Sequence, residues 1–202
     1  MSKNKIDSKK KKKICIIGAI IVIILAVFLF YFYWKDSEIP ILTIETPQKL
    51  SCEKTDTFVL DVSISDFGEA IYPAASMSIS FDTSRLEFLG VEEGNVFIFH
   101  QNLEQQLPEW SYNTEQCNKS GLINIMYLDT TAGKNAFSRE LLAEDENIVL
   151  RLKFRLRGSA RVGDVYDLVI EDAVFAASDE KQSLAILQNT LKTKNGKIVI
   201  GE

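Results

Sequence analysis

Residues 76–97 read SMSISFDTSRLEFLGVEEGNVF. Met77, Ile79 and Phe81 take one side of an extended chain, and Ser76, Ser78 and Ser80 the other. A period of two with one apolar and one polar side predicts a strand with one buried and one solvated face. Asp82-Thr83-Ser84 follows as a turn, because short oxygen-bearing side chains bond their own backbone. Leu86, Phe88, Leu89 and Val91 open a second apolar run, closed by Gly94-Asn95.

Outward from this corner the pattern stays β. Upstream, Ile41, Thr43 and Glu45 alternate with Leu42 and Ile44, between Pro40 and Pro47. Phe58, Leu60, Val62 and Ile64 alternate with Val59, Asp61, Ser63 and Ser65. Downstream, Trp110 and Tyr112 alternate with Glu109, Ser111 and Asn113, and residues 114–121 (TEQCNKSG) read as a long hairpin loop. Ile123, Ile125 and Tyr127 alternate with Asn124, Met126 and Leu128, with the second set expected to face outward. Residues 130–147 read as a loop with room for one helical turn at 139–142. Residues 148–157 give the cleanest alternation in the chain. The strand from Tyr166 to Ala176 is expected to bulge near Asp172, and a last strand follows the turn Lys194-Asn195-Gly196. Short strands between turn signals, with almost no helix, predict an all-β fold, an antiparallel β-sandwich of about nine strands.

The N-terminus is of another kind. Residues 14–34, ICIIGAIIVIILAVFLFYFYW, carry no charge, and a helix of that length spans about 30 Å, the hydrocarbon thickness of a bilayer. Residues 1–13 hold seven lysines and one aspartate, which by the positive-inside tendency keeps that end cytoplasmic. No small residues near 30–34 suit a signal-peptide cleavage site, so an uncleaved transmembrane signal anchor is expected. The expected organisation is a basic tail (1–13), a transmembrane helix (14–34), a neck (35–40) and an extracellular sandwich (41–202).

Charge and chemistry narrow the function. The chain carries a formal charge of −5; beyond residue 13 it holds 16 basic and 27 acidic residues, a balance that argues against a nucleic-acid partner. His100 is the single histidine, and no G-x-S-x-G, P-loop or H-E-x-x-H occurs. The acidic pairs Glu92-Glu93 and Glu171-Asp172 are adjacent on strands, so each is expected to split between opposite faces. Nothing in these residues supports catalysis, and no cofactor or metal is expected. Cys52 and Cys117 are either a disulfide pair outside the cell or two half-buried thiols. Arg151, Lys153, Arg155 and Arg157 form a basic stripe, expected to be a solvated sheet face or a guarded edge.

The corner motif resembles that of the cohesin domain of cellulosome scaffolds. Phe81, Asp82, Leu86 and Glu87 match its aromatic-Asp and Leu-Glu positions, with Thr83 where proline is usual. The likeness runs from Leu42 to Gly201 and includes a late strand pair around residues 148–176 and a closing Asn195-Gly196-x-Ile198-x-Ile200. It implies a nine-stranded, jelly-roll-like sandwich that binds calcium-stabilised dockerin modules on one flat sheet face, the calcium belonging to the dockerin. By position that face takes Ala74, Ser76 and Ser78 from the third strand, and Glu109, Ser111 and Asn113 from the fifth. Asn124, Met126 and Leu128 come from the sixth, with Glu180 and Gln182 after the eighth. Ala74 and Ser76 stand where well-known cohesins carry Asn and Asp. The implied function is non-catalytic capture of dockerin-bearing proteins, expected to be polysaccharide-degrading enzymes, at the cell membrane. The alternative is a carbohydrate-binding module using Trp110 or Tyr112 as an exposed stacking platform.

Overall fold

The computed structural model describes residues 22–26, 39–46, 50, 57–96, 109–143, 147–158 and 161–201. The chain divides into two units, Met1–Glu38 and Ile39–Glu202. Of the first, residues 22–26 are helical with exposed side chains. Among the described residues no helix is long and apolar enough to cross a membrane. The basic tail lies outside the described residues, as do most of the expected span and neck.

The second unit is a two-sheet sandwich. One sheet runs in the order β10 (Lys192–Lys194), β1 (Ile41–Ile44), β2 (Thr57–Ile64), β7 (Ile148–Leu156), β4 (Leu86–Glu93). The other runs β11 (Gly196–Val199), β8 (Val165–Ala176), β3 (Ala74–Ser80), β6 (Leu122–Leu128), β5 (Trp110–Ser111), with β9 (Leu184–Ala185) also paired to β8. Among the described strands the pairings are antiparallel except β1 with β10. The described residues form eleven strands rather than nine. The surplus is made of very short strands such as β9, which have too few residues to show a period.

The alternation in the sequence sets which faces meet. Met77, Ile79 and Phe81 are buried, while Ser76 on the other side of β3 is exposed. Rings fill the space between the sheets in two groups. Phe67, Phe137 and Phe175 lie mutually 5.3–5.6 Å apart, and Phe81 and Phe88 each meet Phe154 at 5.6 Å. Edge and tilted arrangements at these spacings suit the quadrupoles of the rings and add to the burial of their area. A register shift between Phe88 and Gly90 bends β4. Past that bend, Gly90 has φ +149° and the Tyr112 hydroxyl lies 2.8 Å from where a β-carbon would be.

Residues 114–121 are not a loop. Thr114–Ser120 form a seven-residue helix, α1. The Asn113 side chain caps it by accepting from the Gln116 N–H at 2.9 Å, and Gly121 ends it in the left-handed region at φ +74°. The cap residues were legible, but a helix of two turns that buries only Cys117 shows no apolar stripe. The expected turn near 139–142 is present as a 3-10 turn, Arg139–Leu141. Cys117 is a buried free thiol; Cys52 lies outside the described residues.

The basic stripe on β7 is neutralised by its neighbours. Lys153 pairs with Glu92 at 2.8 Å and Arg155 with Glu87 at 2.7 Å. Arg151 Nε lies 2.9 Å from Asp61 Oδ1, an ion pair out of line for a hydrogen bond. Arg157 donates to the Leu86 carbonyl. Cross-strand opposite charges of this kind stabilise a solvated face modestly and leave little net charge for an anionic polymer.

Candidate partner-binding face

Strand register arranges the outer face of the second sheet in rows across β8, β3 and β6. The first row is Ala176, Ala74 and Leu128. The second is Val174, Ser76 and Met126, extended on β5 by Ser111. The third is Asp172, Ser78 and Asn124. A fourth holds Ser80 between Val169 and Leu122. The first row is apolar and the third polar, while the second and fourth mix a serine with apolar neighbours.

Met126 and Leu128 are 56% and 62% exposed, whereas Ile123, Ile125 and Tyr127 are 3% or less. The parity expected for β6 therefore holds, with the methionine and leucine outward. An open depression beside Met126 is lined by Ser76, Ser78, Ser111, Tyr112 and Asn124. The Ser78 hydroxyl donates to Asn124 Oδ1 at 2.8 Å, and the Ser80 hydroxyl to Glu171 Oε1 at 2.6 Å.

Of the residues singled out by sequence, Ala74, Ser76, Ser78, Ser111, Asn124, Met126 and Leu128 share this face. Glu109 lies at the edge where β5 approaches β4, lining a depression with Glu92, Glu93, Trp110 and Tyr112. Burial, together with the Glu109 charge, holds the Glu93 carboxyl above its usual range. Asn113 spends its side-chain oxygen on the α1 cap. Glu180 and Gln182 occupy an exposed 3-10 turn that follows the Ala176 end of β8.

Sequence reasoning missed what β8 contributes. Strict alternation sends Glu171 and Asp172 to opposite faces, but the register slips between Ser78 and Ile79, where Asp172 and Ile170 are the partners. Glu171 is the extra residue, so both carboxylates fall on the outer side between buried Ile170 and Ala173. The bulge expected near Asp172 is present; the sequence reading did not draw from it that both carboxylates then share one face.

Trp110 is no open platform. Its ring packs 5.5 Å from Tyr127 and 6.0 Å from Phe137, and Tyr112 meets Phe88 edge-on at 5.8 Å. His100 lies outside the described residues, among which no group of three His, Cys, Asp or Glu side chains is placed to hold a metal.

A family model of the cohesin domain matches residues 43–200. No curated protein matches the chain. Among solved structures, the third cohesin of ScaC from Acetivibrio cellulolyticus, in complex with the ScaB dockerin, is 16% identical with TM-score 0.54, over 81% of this chain and 99% of that one. The sixth cohesin of scaffoldin B from the same organism, in complex with a mutant Cel5 dockerin, is 16% identical with TM-score 0.57, over 80% and 98%. A non-cellulosomal cohesin from the archaeon Archaeoglobus fulgidus is 16% identical with TM-score 0.50, over 81% and 91%. At this identity the structural likeness speaks for the fold, and the sequence match over 43–200 for descent: the chain belongs to the cohesin family, whose domains are non-catalytic binding modules.

Proposed function

We propose that the outer face of β8, β3, β6 and β5 captures a dockerin-bearing protein, and that the N-terminal segment holds the complex at the outer surface of the cell membrane. The observation that carries the reading is the solvated pair Met126 and Leu128 beside small and polar neighbours. An exposed apolar spot with a polar surround suits the dry centre and wet rim of a protein–protein interface. Support for the partner class comes from the two Acetivibrio cohesins of the same fold, both solved with dockerins. Support for the membrane comes from the charge-free run at 14–34 behind its lysine block. Enzymes that degrade polysaccharide are the expected carriers of the dockerin, and calcium belongs to that module. Direct sugar binding has less behind it: Trp110 packs inward, which leaves Tyr112, 39% exposed, as the one ring of the two open to a sugar.

The test uses residues 39–202, a unit with its own core, as bait for dockerin-bearing proteins secreted by the source organism, with calcium and with chelator. Calcium-dependent capture lost on Met126→Asp supports the reading; capture unaffected by that change refutes the assigned face. In parallel, the full chain is expected in the membrane fraction and a form lacking residues 1–38 outside it.

A further inference from the structure

β5 is too short to fix its own place. Among the described residues it pairs with β6 only through Trp110 and Ser111, so side-chain contacts must settle where it lies. Yet it supplies Ser111 to the partner face beside Met126, and Ser111 and Tyr112 wall the depression next to that methionine. What holds this wall comes from the other sheet. The Tyr112 ring meets Phe88 edge-on at 5.8 Å. A β-carbon on Gly90 would stand 2.8 Å from the Tyr112 hydroxyl and 3.5 Å from the ring carbons Cε2 and Cζ. Gly90 is buried, and Leu89 before it is the extra residue where β4 slips in register against β7. The bulge turns the bare face of Gly90 towards Tyr112, at a φ of +149° that side chains rarely adopt. Just beyond, Asn113 caps α1, and Asn118 of α1 bonds the Phe88 backbone. β4 thus grips the stretch 112–118 at Phe88 and at Gly90.

Resting on the proposed dockerin reading, we infer that Gly90 is a positioning residue for partner capture. It is buried on the sheet opposite the binding face, and it sets, through Tyr112, the wall beside Met126. A β-carbon at Gly90 pushes the Tyr112 ring away from β4. Ser111, its neighbour in the chain, moves with it, and the depression beside Met126 changes shape. The dry centre of an interface depends on close fit, so such a displacement weakens binding although Gly90 itself never touches the partner. A side chain at Gly90 then acts on two quantities by separate routes. Backbone strain at φ +149° lowers stability, and nothing done to Tyr112 relieves it. Displacement of Tyr112 lowers affinity, and removing the hydroxyl relieves that, since the ring carbons left at 3.5 Å are in ordinary van der Waals contact.

The test has one arm without a partner and one with it. Met77 and Met126 are the methionines of residues 39–202, and isotope labelling of their methyl groups gives each an NMR signal. Gly90→Ala is expected to shift the Met126 signal more than that of buried Met77, and Tyr112→Phe added to it to bring the Met126 signal back. Tyr112→Ala, with Gly90 intact, removes the same wall from the other side and must shift Met126 too. In the second arm a dockerin captured by the native fragment is titrated in calcium. Gly90→Ala is expected to weaken binding at least about tenfold beside Tyr112, and less than about twofold in the Tyr112→Phe background. In both backgrounds it is expected to melt about 2–4 °C lower. Affinity that recovers while stability does not is not produced by a residue that merely supports the fold. An unmoved Met126 signal, or an affinity that Tyr112→Phe fails to restore, overturns the inference and leaves the dockerin reading in place. Methyl signals that behave as expected, with no dockerin captured by the native fragment, refute the dockerin reading and with it the role of Gly90 in capture.

Discussion

Asn118 on α1 grips Phe88 on β4 with both ends of its amide. The Phe88 N–H donates to Asn118 Oδ1 at 2.9 Å, and Asn118 Nδ2 donates back to the Phe88 carbonyl at 2.7 Å. One side chain thereby completes the hydrogen bonding of a strand edge and ties the helix to the first sheet. Nδ2 also reaches the Thr114 carbonyl at 2.9 Å, within α1 itself. Asn118→Ala leaves two strand groups unpaired, at a cost of about 2 kcal/mol. For a domain of this size that is a melting temperature lower by roughly 4–8 °C. Thermal unfolding of the 39–202 fragment checks it, and an unchanged midpoint shows that water replaces the amide freely.

Gly94 has no room for a side chain. A β-carbon there would stand 1.9 Å from the Ile148 carbonyl oxygen, which is backbone and cannot swing aside. Gly94→Ala must push β4 from β7 and is expected to cost about 3 kcal/mol. Denaturant titration is the measurement, and a midpoint equal to that of the native domain refutes the close approach.

Met126→Asp and Leu128→Asp separate binding from folding. Both side chains already face water, so the melting curve should move by no more than about 0.5 kcal/mol. Capture of a dockerin should weaken by about 2 kcal/mol or more, roughly thirtyfold, because a charge is forced into the dry centre of the contact. Calorimetric titration with any dockerin recovered by the wild type reads the difference.

Acid should destabilise the domain through identifiable carboxylates. Burial pushes Asp129 up, but the Thr131 hydroxyl and the N–H groups of Thr131, Gly133 and Asn135 outweigh it and hold the acid below its usual range. The Ser84 hydroxyl does the same for Asp82, and the Tyr166 hydroxyl for Asp164. A folded-state pKa below the unfolded value gives stability that is present above about pH 4 and is lost as pH falls through the folded value. Glu93 has the opposite sign: its raised value means that protonation relieves a penalty, so its contribution rises as pH falls towards the unfolded value. Melting temperatures taken from pH 6 to pH 2.5 should fall most steeply below pH 4. Asp129→Asn should flatten that fall, and an unaltered slope removes Asp129 from the account.

What the sequence determined by itself is the parity of its longer strands. In 76–81 and 122–128 the alternation put Met77, Ile79, Ile123, Ile125 and Tyr127 inside and left Ser76, Met126 and Leu128 outside. Burial is decided residue by residue along a strand, and a period of two repeats it often enough to be read. The match to the cohesin corner was legible for the same reason, since Phe81 is core and Asp82 bonds the Ser84 N–H locally at 2.8 Å.

Only the tertiary structure decided which strands lie side by side, and hence that Ser78 stands between Asp172 and Asn124. Those partners lie 94 and 46 positions away in the chain, a separation at which local pattern carries no register information. It also decided that the bulge expected near Asp172 turns Glu171 and Asp172 to one face, and it set the short helix that fastens Asn118 to Phe88. The break in alternation shows that a residue is inserted near Asp172 but not which strand it faces, and a two-turn helix leaves too brief a trace to be weighed against turn chemistry. Each is held in place by hydrogen bonds to a strand that the sequence alone does not bring near.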